Sequence, residues 1–556
     1  MIWPAAGAAP VTEVATAFLG ADRRGAPPTP ATAPKAAGQA AKAEGFAYCA
    51  GATKHGAVGL PHAGEPLTAP RLQTRFMNEG VVQVSCGWRH SAYVLSSGEV
   101  YTCGEGTDGK LGSGETASSP EPQPVSFGAE LFVMHVSCGQ HHTAFVGADR
   151  TVWTCGLGLY GQLGHGGLAS EASPRCVASL RGRVVAAACG DLHTLLLSDE
   201  GRPLACGMSE GGRLGLPAPK GQKRLEPCVT TPRDVPLHGV LAAAEAFRVS
   251  GVSCGGAHAG LTYSDGSAYT FGHGERGQLG HGSTLNEPLP RKVSELQGTR
   301  LKRLSCGAQH TLFLSVTGGV YACGSGGSGR LGLAIGLGGR EGCTVPRQVP
   351  GLSGTVVVQV SAGAFHSSFV TEDGSVLLCG ANENGQLGLN GTTMVATAVT
   401  APPKLWRQRG AVVLGASCGG EHTIFVTKAL VDPEDDARAD EHEAAAKIVQ
   451  RLVRGSTTRK EIAAGPRRPK PQLPGKYTEA ERIAAAVAIQ SVARSRAVRR
   501  RRAAEARRAA FGGGPGGAGV WSGLRNRFVA AITAKPIAEA AAQEKSRHAT
   551  MSKSDW

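Results

Sequence analysis

Short runs with an apolar residue at every second position recur along most of this chain. His142-Thr143-Ala144-Phe145-Val146 and Val152-Trp153-Thr154-Cys155-Gly156 show the type. A period of two is that of a β-strand with one face turned to a core. Asp-Gly pairs, as at Asp265-Gly266 and Asp373-Gly374, mark hairpins between such runs. A motif organises them. Ser-Cys-Gly-x-x-His-Ser/Thr occurs seven times with single substitutions, beginning at Ser85, Ser137, Ala188, Ser253, Ser305, Ser361 and Ser417. Its histidines are His90, His142, His193, His258, His310, His366 and His422. A fixed period of roughly 50 residues means an array of supersecondary units, each burying its apolar face against its neighbours.

Each unit has a second half, a Cys-Gly strand followed by a Gly-x-Leu-Gly element. Gly109-Lys110-Leu111-Gly112, Gly161-Gln162-Leu163-Gly164 and Gly385-Gln386-Leu387-Gly388 are examples. Four short antiparallel strands per unit, seven times over, predict an all-β fold: a seven-bladed β-propeller of four-stranded antiparallel blades over 45–428. The chain enters with a second half, Tyr48–Gly59, and leaves with a first half, Ser417–Val426. The two ends are expected to combine into one blade and lock the ring. The 80 glycines and the aromatic content of 5% suit many tight turns and not a helical solenoid.

Val84-Ser85-Cys86-Gly87-x-x-His90 and Gly161-Gln162-Leu163-Gly164-His165-Gly166 resemble the repeat of the regulator of chromosome condensation family. The resemblance runs over residues 46–428 and implies a seven-bladed propeller. This chain departs from it at Phe271 and Ala362, which stand where cysteine is usual, and at Ala259, which replaces Ser/Thr after a histidine. The unit between Gly215 and Cys254 is longer than its neighbours. Its insertion, 216–249, contains Lys220, Lys223 and Arg224.

The repeated Cys-x-x-x-His spacing invites a metal or nucleophile reading. The copies belong to different blades, so four ligands are not expected to converge, and Ala362 removes one of them. Seven equivalent copies read as structure, with each histidine expected to bond a strand or turn inside its own blade. No catalytic residue, cofactor or metal is expected. Twelve of the 15 cysteines recur at two repeat positions, as small core side chains do. Residues 1–44, rich in Ala, Pro and Gly, read as disordered and carry no secretory leader pattern. The expected setting is therefore intracellular, with free thiols and no membrane span. A cytoplasmic or cytoskeletal compartment, including cilia, is favoured over the nucleus.

Charge is concentrated beyond the repeats. Residues 444–527 hold 20 Lys/Arg against 4 Asp/Glu, a net of +16, while the whole chain is +15. An acidic hinge, Asp432-Pro433-Glu434-Asp435-Asp436, precedes a mostly α-helical, partly disordered tail. Residues 440–463 and 478–510 read as helices. The first holds Val449-Gln450-Arg451-Leu452-Val453-Arg454-Gly455, continuing to Arg459 and Ile462, which resembles the IQ motif over 449–462. The second holds Ile489, Gln490, Arg494 and Arg499 within 489–502; Ser495 stands where glycine is usual and Arg502 where the last apolar residue is usual. The resemblance implies calmodulin or a calmodulin-like light chain as partner. Val449, Leu452 and Val453 make one helical stripe suited to a hydrophobic groove, and Arg454 and Arg459 face an acidic partner. Prolines 466, 469, 471 and 474 separate the two sites. Residues 512–556 read as a glycine-rich linker and a short amphipathic segment.

The leading expectation is a non-enzymatic adaptor, with a propeller face holding a protein partner and the tail holding calmodulin. Family resemblance implies a second reading, guanine-nucleotide exchange on a small GTPase such as Ran. A third is chromatin or RNA association through Arg499–Arg502 and Arg507-Arg508. No aromatic residues interleave that run for base stacking, so nucleic acid is not the expected partner.

Overall fold

The computed structural model describes residues 45–428 apart from 61–63, 78, 129, 181, 220–224, 237–247, 334–341, 390–394 and 401–411. The IQ sites 449–462 and 489–502, the acidic hinge, the arginine run, residues 1–44 and residues 512–556 all lie outside the described residues. The chain divides into two units, Met1–Asp436 and Ala437–Trp556.

Among the described residues, 28 strands form seven four-stranded sheets. Six are consecutive in sequence: blade 1 spans 81–124, blade 2 133–176, blade 3 184–234, blade 4 249–292, blade 5 301–348 and blade 6 357–400. Blade 7 joins the two ends. The strands Val412–Cys418 and His422–Lys428 pair with Phe46–Gly51 and Leu67–Leu72, in an unbroken register from Phe46 opposite Thr427 to Gly51 opposite His422. The expected composite blade is present.

Position within the blade explains residue choice. The second strands, such as His90–Leu95, His142–Gly147 and His310–Ser315, are buried along their whole length. Both of their faces meet neighbouring blades, so near-continuous apolar runs such as Ala-Tyr-Val-Leu replace alternation. The outermost strands, such as Ser119–Pro124 and Glu287–Lys292, are largely exposed and proline-bearing. Proline lacks an N–H for a further strand, so it suits an edge.

The motif histidines do not bond inside their own blade, as the sequence led us to expect. Six of the seven reach the next blade, and His193 does not. His90 Nε2 lies 2.8 Å from Thr143 Oγ1 on blade 2, and Thr143 Oγ1 donates to Lys110 O, back on blade 1, at 2.7 Å. The same pair of bonds joins His142, Thr194 and Gln162 O; His258, Thr311 and Gln278 O; and His310, Ser367 and Arg330 O. His366, Thr423 and Gln386 O repeat it, and His422, Ser91 and Ala57 O close the circle. A hydroxyl has one proton and a carbonyl can only accept, so the histidine must carry its hydrogen on Nε2. A second link runs along the inner strands: Ser85 Oγ accepts from Cys138 N at 2.9 Å, and Ser417 Oγ accepts from Cys86 N at 2.9 Å. Gly87 makes room for this arrangement, since a Cβ there would sit 2.4 Å from Gly139 O and 2.7 Å from His90 Nδ1.

Thr143→Val keeps the shape of that side chain and removes the hydroxyl. It leaves His90 N–H buried without a partner, at about 1–3 kcal/mol, and leaves Lys110 O with only the weak thiol donor of Cys155. The guanidinium midpoint of the propeller should fall markedly for Thr143→Val and little for Thr143→Ser. Equal midpoints for the two variants would show that the hydroxyl does not matter.

Candidate functional site

The strands alternate in direction, so all seven Cys-Gly-x-x-His loops and all Gly-x-Leu-Gly turns open on one face. The loop residues around the axis enclose a cavity of about 70 Å³. Cys86, Cys138, Cys189, Cys254, Cys306 and Cys418 line it, one from each blade except blade 6, where Ala362 stands. Burial pushes these thiols up, to about 12 for Cys86, Cys189 and Cys306 and to about 11 for Cys418. Protonated thiols of this kind are neither nucleophiles nor metal ligands. No group of three or more His, Cys, Asp or Glu among the described residues is arranged to hold a metal. Nor is any helix among them long and apolar enough to cross a membrane.

The histidines are equally inert. Burial lowers His142, His258 and His366 to about 3 and His422 to about 4. Protonation would place a second N–H at Nδ1, which in His142, His258 and His366 has no partner.

The individual character of the face comes instead from the two variable positions of each motif. Trp88 of blade 1 meets Phe365 of blade 6 edge-on, with ring centroids 5.8 Å apart. The pair spans blade 7, whose loop carries Gly420; a Cβ there would lie 2.3 Å from Trp88 O. The Arg330 guanidinium stacks 5.0 Å from the Phe365 ring centre and donates to Ala364 O at 2.8 Å. Burial lowers Arg330 to about 10, which leaves it charged at neutral pH. On the opposite side of the axis stands Asp191. Turned to donate, the Gln140 amide reaches both of its carboxylate oxygens at 3.1 Å, and burial raises this carboxyl to about 6. Farther out, Lys110 is nearly enclosed and donates to Glu105 Oε2 at 2.8 Å and to Thr107 at 3.0 Å.

A family profile described as RCC1-like domain matches residues 46–425. The chain belongs to the RCC1-like domain family. Among its relatives, the ultraviolet-B receptor UVR8 of Arabidopsis thaliana is 30% identical over 368 residues, which are 66% of this chain and 77% of that one. The human E3 ubiquitin-protein ligase HERC2 is 29% identical over 390 residues, 69% of this chain and 6% of that protein. Among solved structures, human WBSCR16 superposes with a TM-score of 0.59 at 23% identity, covering 70% of this chain and all of that one. Prp20p of Saccharomyces cerevisiae, studied for its binding to Gsp1p and histones, does so with a TM-score of 0.59 at 20% identity over 72% of this chain and 95% of that one. These structures support the RCC1-like propeller as a fold.

None of the RCC1-like family's repeat positions would have pointed to Trp88, Phe365, Arg330 or Asp191. Their signal in the sequence is that they occupy the two variable positions of the motif or the second position of Gly-x-Leu-Gly. The residues assigned to calmodulin, Val449, Gln450, Leu452, Val453, Arg454, Gly455, Arg459, Ile462, Ile489, Gln490, Arg494 and Arg499, lie outside the described residues.

Stability should depend on pH through the histidines. Their folded-state pKa values lie below the unfolded value of about 6.5. The unfolded chain therefore binds more protons between about pH 6.5 and 3, and stability is lost as pH falls through that window. Each such group adds a slope of up to about 1.4 kcal/mol per pH unit. His135 is also buried, lowered to about 4 and without a partner at either nitrogen. Guanidinium midpoints measured from pH 7 to 4.5 should fall steeply, and His135→Leu should reduce the slope by one proton.

Proposed function

We propose that this protein is a two-part interaction protein. The loop-bearing face of its RCC1-like propeller holds a protein partner, and residues 449–502 recruit calmodulin or a calmodulin-like light chain. The observation that carries the first half is half-buried Trp88 at the axial mouth, held edge-on by Phe365, which buried Arg330 backs. Aromatic and arginine side chains held in place before binding lose little entropy on contact, and these residue types dominate interface energetics. Their buried surroundings are chemically inert, which favours binding over catalysis.

The second half rests on the two IQ-like segments within a basic stretch of net +16 over 444–527. An apolar helical stripe flanked by Arg454 and Arg459 suits an acidic lobe with a hydrophobic groove. A second reading of the propeller, regulation of a small GTPase, is favoured by its similarity to Prp20p, whose structure was studied together with its binding to Gsp1p. The ligase activity in the name of HERC2 is not part of the proposal, because this chain corresponds to 6% of that protein.

Calmodulin should be retained by the full chain in a pull-down run with and without calcium. It should be lost when Gln450→Ala and Gln490→Ala are combined with Arg454→Ala and Arg494→Ala; undiminished retention would remove this reading of the tail. For the propeller, Trp88→Ala should lower capture of its partners at least tenfold without moving the unfolding midpoint by more than about 1 kcal/mol. Nucleotide release from a small GTPase at substoichiometric concentrations of the chain would favour the exchange-factor reading over the adaptor.

A further inference from the structure

Seven seams hold the ring together, and six share one set of links. At the seam between blades 3 and 4 that set is missing. The inner-strand serine that accepts the next blade's amide is replaced by Ala188, so Cys254 N has no hydroxyl to bond. The hydroxyl that would take the histidine's proton is replaced by Ala259, and fully buried His193 has no hydrogen-bond partner at either ring nitrogen. A third link is absent as well. At five of the other seams the second-half thiol approaches the same turn carbonyl as the hydroxyl: Cys155 reaches Lys110 O at 3.6 Å, and Cys323 reaches Gln278 O at 3.5 Å. Here Phe271 replaces that cysteine, so Arg213 O receives neither donor.

The axial ring of amides also changes register at this point. Trp88 N donates to Gly139 O, Gln140 N to Gly190 O and Gly256 N to Gly307 O, each at 3.2 Å. Asp191 N instead donates to Gly256 O, one residue farther along, at 3.4 Å. Apolar contact takes the place of the lost bonds. Ala188, Leu195, Leu214, Ala259, Leu261 and Phe271 belong to one buried cluster that spans the two blades. Among the described residues, the polar links left across this seam are the long Asp191 N–Gly256 O bond at the axis and, toward the rim, the approach of Arg213 Nη2 to His273 Nε2 at 3.5 Å.

Hydrogen bonds fix distance and direction, whereas apolar packing is non-directional. Strand bounds at Asp234 and Val249 leave 14 residues of chain between these blades, against 8 between Pro124 and Val133. We infer that the ring yields at the seam between blades 3 and 4: these two blades shift against each other while the other six seams hold register. Motion here changes the axial cavity on the side of Asp191 and leaves the Trp88–Phe365 side in place.

Hydrogen exchange read by mass spectrometry on the full chain tests this. Peptides covering Val249–Cys254 should exchange between tenfold and a hundredfold faster than those covering Val133–Cys138 and Leu301–Cys306, the loss expected for one or two missing links. The variant Ala188→Ser/Ala259→Thr/Phe271→Cys should slow that exchange to the level of its counterparts. In case the triple variant does not fold, Ser305→Ala/Ser367→Ala removes the amide and histidine links from the seam between blades 5 and 6, leaving Cys379 on Arg330 O and Arg330 on Ala364 O, and should speed exchange in Val357–Ala362 about tenfold. Equal protection of all inner strands in the natural chain overturns the inference. So does a stripped seam whose exchange rate stays unchanged.

Discussion

At six of its seven seams the ring depends on one atom: the hydroxyl that follows the motif histidine of the next blade. That oxygen takes a proton from the preceding blade's imidazole and returns its own to the preceding blade's turn carbonyl, as Thr143 does between His90 and Lys110. Two groups of one blade are thus satisfied by a single group of the next. The imidazole has no alternative partner and the carbonyl only a weak thiol donor, so leaving the histidine's bond unmade costs its full desolvation. The blade-to-blade spacing is therefore set within the tolerance of a hydrogen bond. This also explains the motif's spelling. Histidine opens the second strand so that its ring points across the seam, serine or threonine follows to serve the blade before, and Gly87 and its counterparts leave space for the ring.

A frame fixed in this way separates what must stay constant from what is free to vary. Cys, Gly and His are enclosed and carry no accessible chemistry. Of the two positions between Gly and His, the first lines the axial mouth in every blade. In blades 1 and 6 they hold Trp88 and Phe365; in blade 3 they hold Asp191; in blade 7 one is Gly420, whose missing side chain lets Trp88 lean across. Recognition can change at those sites without disturbing a staple. That is the physical basis for reading this propeller as a display surface, its loops acting from a rigid support.

Much of the architecture was legible because the repeat states it seven times. The four-strand unit, the radial closure and the shared blade at the ends all follow from the order of two half-motifs. The histidines' partners are not legible in one copy of the motif, where His90 and Thr143 are unrelated. In a ring they become neighbours, because each residue one full period away lies across a seam. The three departures Ala188, Ala259 and Phe271 were similarly scattered on the page. Ala188 reaches forward from blade 3 while Ala259 and Phe271 reach back from blade 4, so only the closed ring brings them to one place. The aromatic pair at the axis had no sequence signal beyond its position, since Trp88 and Phe365 are 277 residues apart and meet over a third blade. The tail differs again: its IQ-like segments are legible as motifs, and they lie outside the described residues.

A ring made from an open chain might be expected to fail where its ends meet. The geometry argues otherwise. In blade 7 the N-terminal strand is sandwiched between two partners, with six residue pairs from Phe46–Thr427 to Gly51–His422 on one side and Leu67–Leu72 on the other. Both of that blade's seams keep their staples, His366 with Thr423 and His422 with Ser91. Opening the closure thus requires a β-ladder and two buried polar links to break together. At the seam between blades 3 and 4, chain continuity supplies what hydrogen bonds supply elsewhere. The covalent connection keeps these two blades neighbours whatever their register, so directional links can be lost there without losing the ring. Compliance at this seam does not threaten closure, because the backbone guarantees proximity there; at the other seams between consecutive blades the hydrogen bonds add register to the same covalent proximity.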